Sequence, residues 1–254
     1  MEKYISAMPL WASMLFIVSF LLSLTMIVRP ARQAALNAGL SVERSKIIQR
    51  GIIFFYLIWL GYASALALTG VLDRSTLPPR VMIFITLPLF IILFAFVGNT
   101  RLYKQLLQSA TLESLIFMHV FRFVGVFFFV LYFYNVLDPH FAVSAGLGDI
   151  ITALFAIPVA RAVAQKRSWA IKAVYAWNIV GILDILTLLS IATYGAIKAA
   201  GAGVQGGGEM TMFPFVWFPA FAPGTILFLH AGIFRKLRQR AAYSTNTASI
   251  APAR

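Results

Sequence analysis

Six polar residues interrupt long apolar runs in this chain: His119, Arg122, Asp149, Asn178, Asp184 and His230. Ionisable groups are costly within a membrane and are functional candidates there by default. Arg122 cannot shed its proton, so it needs an anion, a water cavity or a path to the interface. Asp184 is the nearest intramembrane candidate for that anion. His119 and Arg122 are three residues apart and share a helical face. Asn178, Gly181 and Asp184 fall on one arc of their helix, and Gly181 leaves room between the two polar groups. Asp184 or His230 is suited to taking up and releasing a proton, and Arg122 to holding a small anionic ligand.

Three functions draw on these residues. The first is a small-molecule or proton-linked transporter with a polar pocket of Arg122, Asn178, Asp184, His230, His119 and Asp149, reached from the cytoplasm. The second is a membrane-embedded enzyme acting on a lipid or isoprenoid, with Asp184 or His230 as acid or base and Arg122 on a head group. The third is a haem b protein with His119 and His230 as axial ligands. A zinc site of His119, His230 and Asp184 has suitable ligand types, but its spacing carries no signature. The cofactor therefore stays unknown at this level, and no metal is assigned.

The elements that must position these residues are seven apolar runs: Leu10–Val28, Gly51–Leu72, Val81–Gly98, Leu115–Val136, Ala145–Ala164, Ala173–Ile197 and Phe213–Phe234. The chain is 61% hydrophobic and 11% charged, where a soluble domain carries about 25% charge. A spanning helix needs about 20 apolar residues. The predicted fold is all-α: a polytopic membrane protein with a bundle of seven transmembrane helices. Residues 1–240 form its single domain and 241–254 a flexible cytoplasmic tail. The first run is too long for a signal-peptide core and reads as an uncleaved helix.

Orientation follows from the basic residues. Sixteen of the 21 Lys and Arg fall on alternate loops and the tail, four lie on the opposite side, and Arg122 lies within a run. This places the N-terminus outside and the C-terminus in the cytoplasm of a cell (inner) membrane. The net charge of +13 then needs no nucleic-acid partner. It implies the lipid bilayer and anionic lipids at the cytoplasmic face as partners, while the oligomeric state is not written in the sequence. With no cysteine, disulfides, thiolate nucleophiles and Fe–S clusters are excluded. Span seven has no lysine for a retinal Schiff base. No P-loop, HExxH or GxSxG motif is present.

Within this frame His119 is expected ~6 Å inside the cytoplasmic boundary, Arg122 ~10 Å, Asp184 ~17 Å and His230 ~6 Å. Asp149 is expected toward the outer side, near Asp138 and His140, capping the start of span five. Arg29–Arg50 is expected to hold a short helix, Ala31–Leu36, stopped by Asn37-Ala38-Gly39, with Ser41 capping the next span. Leu102–Glu113 is expected to lie along the interface, and Ala199–Gly208 to form a flexible outer loop. The prolines of Phe213–Gly224 predict irregular backbone facing the bundle interior, with regular helix from Thr225. The aromatics there, Phe127–Phe129 and the five tryptophans read as lipid contacts or interface anchors. Gly146–Ile157 and Gly181–Ala192 match in Gly, Asp, Ile, Thr and Leu at equal offsets, as an inverted repeat would.

Overall fold

A computed structural model describes residues 2–73, 76–202 and 208–250, with side-chain surroundings described from residue 3 to residue 241. Seven helices in it are long and apolar enough to cross a membrane. They are α1 (Leu10–Asn37), α2 (Val42–Leu68), α3 (Met82–Asn99), α5 (Leu112–Phe133), α6 (Pro139–Ala164), α7 (Ala170–Gly201) and α8, which spans over Trp217–Ala241 and continues as helix to Ile250. The short α4 (Arg101–Ser109) links α3 to α5. No strand occurs among the described residues. With an odd number of spans, the two termini lie at opposite ends of the bundle.

The helices start and stop for local reasons. Helix α1 runs on through Pro30 to Asn37, so the separate helix expected at Ala31–Leu36 is a continuation of the first span. One proline deletes one backbone donor, and neighbouring helices can hold the rest of the ladder. Gly39, at φ +79°, ends it in a left-handed turn. Ser41 Oγ accepts from Arg44 N and starts α2. Helix α6 begins with Pro139 at its first position and Asp138 as its cap, accepting from Phe141 N. The expected capping role of Asp149 is thereby corrected: it lies well inside α6, whose start precedes the apolar run. Helix α7 extends to Gly201, so the expected loop at Ala199–Gly208 starts later, and 203–207 lie outside the described residues. The tail expected to be flexible from 241 is helical to Ile250, and 251–254 lie outside the described residues.

Helix α8 is the centre of the bundle. Two-thirds of its apolar window is buried (67%), against 11% for α7. Regular helix begins at Trp217, earlier than Thr225, and carries Pro223 inside it. Pro223 has no N–H for the Pro219 carbonyl four residues back. Thr86 Oγ1 from α3 donates to that carbonyl at 3.0 Å, and Trp59 Nε1 from α2 donates to Ala220 O at 2.7 Å. The proline-rich opening thus faces the bundle interior, where other helices satisfy its backbone.

Its aromatics are core, not an interfacial belt. Phe215, Trp217, Phe218 and Phe221 are buried against Phe16 and Phe20 of α1 and Phe128 of α5. Trp217 Nε1 donates to Ser64 Oγ. Phe127 and Phe128 are likewise buried, and Trp177 packs inside the bundle. Trp11 and Trp169 are exposed, as an interface reading requires. Hydropathy cannot separate these cases, because a lipid-facing and a core-facing aromatic look alike in sequence.

Candidate functional site

The site is built on an unusual stretch of α5. Leu112–Phe117 and Val126–Phe133 are α-helical, but Met118–Gly125 between them is wound as a 3₁₀-helix. Such runs seldom exceed three or four residues, and mid-helix they often mark functional or strained segments. With three residues per turn, positions i and i+3 eclipse. His119, Arg122 and Gly125 therefore form one straight row, and all three are buried.

This winding also changes the depth. At ~1.5 Å per residue in the α-helical part and ~2.0 Å in the 3₁₀ part, Arg122 lies ~17 Å from the start of α5, deeper than the ~10 Å expected; about 2.5 Å of this comes from the winding and the rest from the helix starting at Leu112 instead of Leu115. Arg122 reaches the level of Asp149 on α6, which was expected near the opposite surface. Arg122 Nε donates to Asp149 Oδ1 at 2.7 Å, and Arg122 Nη2 donates to Asp184 Oδ2 on α7. Arg122 is 1% exposed. One guanidinium thus ties three helices together, and the two matched segments of α6 and α7 each contribute their aspartate to it.

One turn along the row, the His119 ring lies against the His230 ring of α8, with centroids 4.1 Å apart and planes at 35°. Asn178 of α7 orients His230: its Oδ1 is 2.8 Å from His230 Nδ1, and its Nδ2 donates to His230 O at 3.2 Å. Trp177 packs edge-on to His119 and donates through Nε1 to Thr152 O. All six sequence candidates therefore meet in one cluster. Thr152 and Trp177 belong to it too. Thr152 lies three residues from Asp149, a helical-face spacing that could have flagged it.

Glycines make the room. A Cβ on Gly125 would meet Asp149 Cβ at 2.5 Å, one on Gly148 would overlap the Asp184 carboxyl, and one on Gly181 would overlap the His230 ring. Each of these polar side chains sits on a glycine of a neighbouring helix. Small residues at such crossings let the backbones approach closely.

The cluster is mostly buried. His119, Asn178 and His230 are fully buried, and the Asp184 side chain is the most exposed of the cluster at 15%. Among the described residues, seven buried side-chain nitrogen or oxygen atoms have no hydrogen-bond partner. Five of them are here: both ring nitrogens of His119, His230 Nε2, Arg122 Nη1 and Thr152 Oγ1. Buried polar groups are normally satisfied, so this concentration sets the cluster apart from the rest of the described interior.

The arrangement does not fit a haem held between the two histidines. Rings with centroids at 4.1 Å are already in van der Waals contact, which leaves no gap for a porphyrin between them. Nor do His119, His230 and Asp184 converge as a zinc set: among the described residues, no group of three or more His, Asp or Glu could hold a metal ion.

Residues 78–238 match a domain of unknown function, DUF8737. The chain belongs to this family. The DUF8737 match covers α3 to α8 up to residue 238, and every residue of the cluster lies within it. Helices α1 and α2 lie outside the DUF8737 match. No curated protein and no solved structure is significantly similar to the chain.

Proposed function

We propose that this integral membrane protein is a proton-linked transporter of small molecules, with the Arg122–Asp149–Asp184 triad as its proton site. The observation that carries the reading is one wholly buried guanidinium between two carboxylates from two other helices. With both carboxylates ionised, the triad has one negative charge in excess. A low-dielectric interior tolerates that poorly, and one proton neutralises it. The site therefore has a natural capacity of one proton, and taking it up or releasing it changes the electrostatics that hold α5, α6 and α7 together. Coupling of charge to helix packing is what alternating access requires.

The imidazoles next to the triad suit a relay, because a neutral imidazole has one nitrogen that donates and one that accepts a proton. His119 has both ring nitrogens free for this, and His230 has Nε2. The split of basic residues supports an N-terminus outside and a C-terminus in the cytoplasm of a cell inner membrane. In that orientation the α8 end of the relay leads toward the cytoplasm.

Two measurements test the reading. Infrared difference spectra of the purified protein across its stable pH range should show one carboxyl group changing protonation, absent in Asp149→Asn and in Asp184→Asn. Everted vesicles with an imposed pH gradient should lose it on addition of a transported solute from a panel of small organic anions, cations and zwitterions. Both variants should abolish that response. If no carboxyl titrates and no solute moves the gradient, the proposal is wrong.

A further inference from the structure

The end of the bundle that carries the C-terminus holds a second feature, independent of the buried cluster. A pocket of about 370 Å³ opens where the α3–α4 junction and α4 meet α8 at Arg235–Gln239. Three cations line it: Lys104 from α4 and Arg235 and Arg238 from α8. Among the described residues, none of the three forms an ion pair. No Asp or Glu lines the pocket, and its other polar groups include Asn99, Tyr103 and Gln239.

A charge bias between membrane faces asks only that Lys and Arg lie near one surface. It does not ask them to converge, or to be held. Here Arg235 Nη1 donates to Gly98 O at 3.3 Å, and its guanidinium carbon lies 6.0 Å from the centre of the Tyr103 ring. The neighbouring Lys236 fixes the other wall, donating to Leu107 O at 3.2 Å and Gln108 O at 2.5 Å at the end of α4. The pocket is thus a formed concavity with one arginine oriented and two more cations at its rim. Arginine presents paired donors that match phosphate oxygens, and basic pockets at helix ends are suited to phosphate head groups. Helix α4 is amphipathic, with Leu102 exposed on it, which places the pocket at head-group level.

We infer that this pocket binds a phosphate group, carried by an anionic phospholipid or by a soluble phosphate compound. Lys104, Arg235 and Arg238 neutralise the phosphate, and Gln239, which lines the same pocket, can donate to its ester oxygens or to a polar head group.

Native mass spectrometry of the full chain tests this, with phosphatidylglycerol and phosphatidylcholine as lipid probes. Equilibrium dialysis against inorganic phosphate tests the soluble arm. Wild-type protein should retain phosphatidylglycerol over phosphatidylcholine. The double variant Lys104→Gln/Arg238→Gln, which keeps the packed Arg235, should weaken that retention about thirtyfold, from ~1 kcal/mol per cation at tenfold per 1.4 kcal/mol. Lys172→Gln/Arg161→Gln, exposed residues on α7 and α6 toward the same end, should leave it unchanged. Retention of phosphatidylglycerol identifies the lipid as the source. Binding of inorganic phosphate alone, lost in the same double variant, identifies a soluble one. Equal binding by wild type and the pocket variant, or equal losses in the pocket and control variants, overturns the inference and leaves only a diffuse surface charge.

Discussion

Replacing Arg122 by methionine should damage the fold far more than replacing either of its carboxylate partners by asparagine. Arg122 is fully enclosed, and the side chains of Asp149 and Asp184 are 6% and 15% exposed. Arg122→Met strands two carboxylates beside each other in the bundle interior. Breaking a buried pair in this way costs on the order of 3–5 kcal/mol. Asp149→Asn or Asp184→Asn leaves a one-to-one pair with no excess charge, and the amide oxygen still accepts from the guanidinium. Each should therefore cost no more than a typical hydrogen bond, about 0.5–1.5 kcal/mol. Adding both asparagines to Arg122→Met removes the stranded charges and should restore up to ~3 kcal/mol. The assay is reversible unfolding in mixed detergent micelles, followed by fluorescence of the tryptophans. Equal losses for all three single changes, or a triple variant whose losses add to within ~0.5 kcal/mol, would refute the charge argument.

Further expectations rest on other parts of the molecule. Gly148→Ala should displace the Asp184 carboxyl and lower thermal stability, whereas Gly195→Ala, with nothing within 4 Å of its added carbon, should be neutral. Thr86→Val should cost ~0.6 kcal/mol, typical of a hydrogen bond within a membrane, by leaving the Pro219 carbonyl without its donor; the same unfolding assay measures it. Burial pushes the Glu209 carboxyl up, and its bond with Ser6 only partly opposes this. An acid raised in the folded state favours the fold at low pH and loses that contribution as pH rises through its folded value. Protection of the N-terminal segment from hydrogen exchange should accordingly fall with rising pH in wild type, and Glu209→Gln should flatten that dependence. A reporter fused after Arg254 should be cytoplasmic, and a tag within Ala199–Gly208 accessible from outside; both on one side would remove a span.

The spans were legible because hydrocarbon demands long apolar runs, and all seven emerge from the sequence. Which face each helix buries was not legible. Phe128 and Phe133 are both phenylalanines on α5, yet one is core and the other exposed, since lipid and core reward the same side chain. The site was legible as a list, because six polar residues stand out against hydrocarbon. Its assembly was not. The depths of Arg122 and Asp149 depend on where their helices begin, at Leu112 and Pro139 ahead of the apolar runs, and a 3₁₀ winding that no residue of Met118–Gly125 announces carries Arg122 further in. The true start of α6 was written in Asp138-Pro139, a cap followed by a first-turn proline, but the apolar run begins later and masked it.

Helix α7 touches the rest of the protein along a narrow stripe: Ala170, Val174, Trp177, Asn178, Gly181 and Ile185 are its buried residues, with Asp184 beside them. Away from that stripe its flanks are apolar side chains that lipid solvates as well as protein does. The forces that select its place are therefore the polar ties to His230, Thr152 and Arg122. The Thr152 tie and the closely packed glycine Gly148 lie on α6, so α7 can pair with α6 as a hairpin as soon as it is inserted. The ties of Asn178 to His230 form only after α8 enters, so during biogenesis α7 should be fixed in two steps, first against α6 and then by α8.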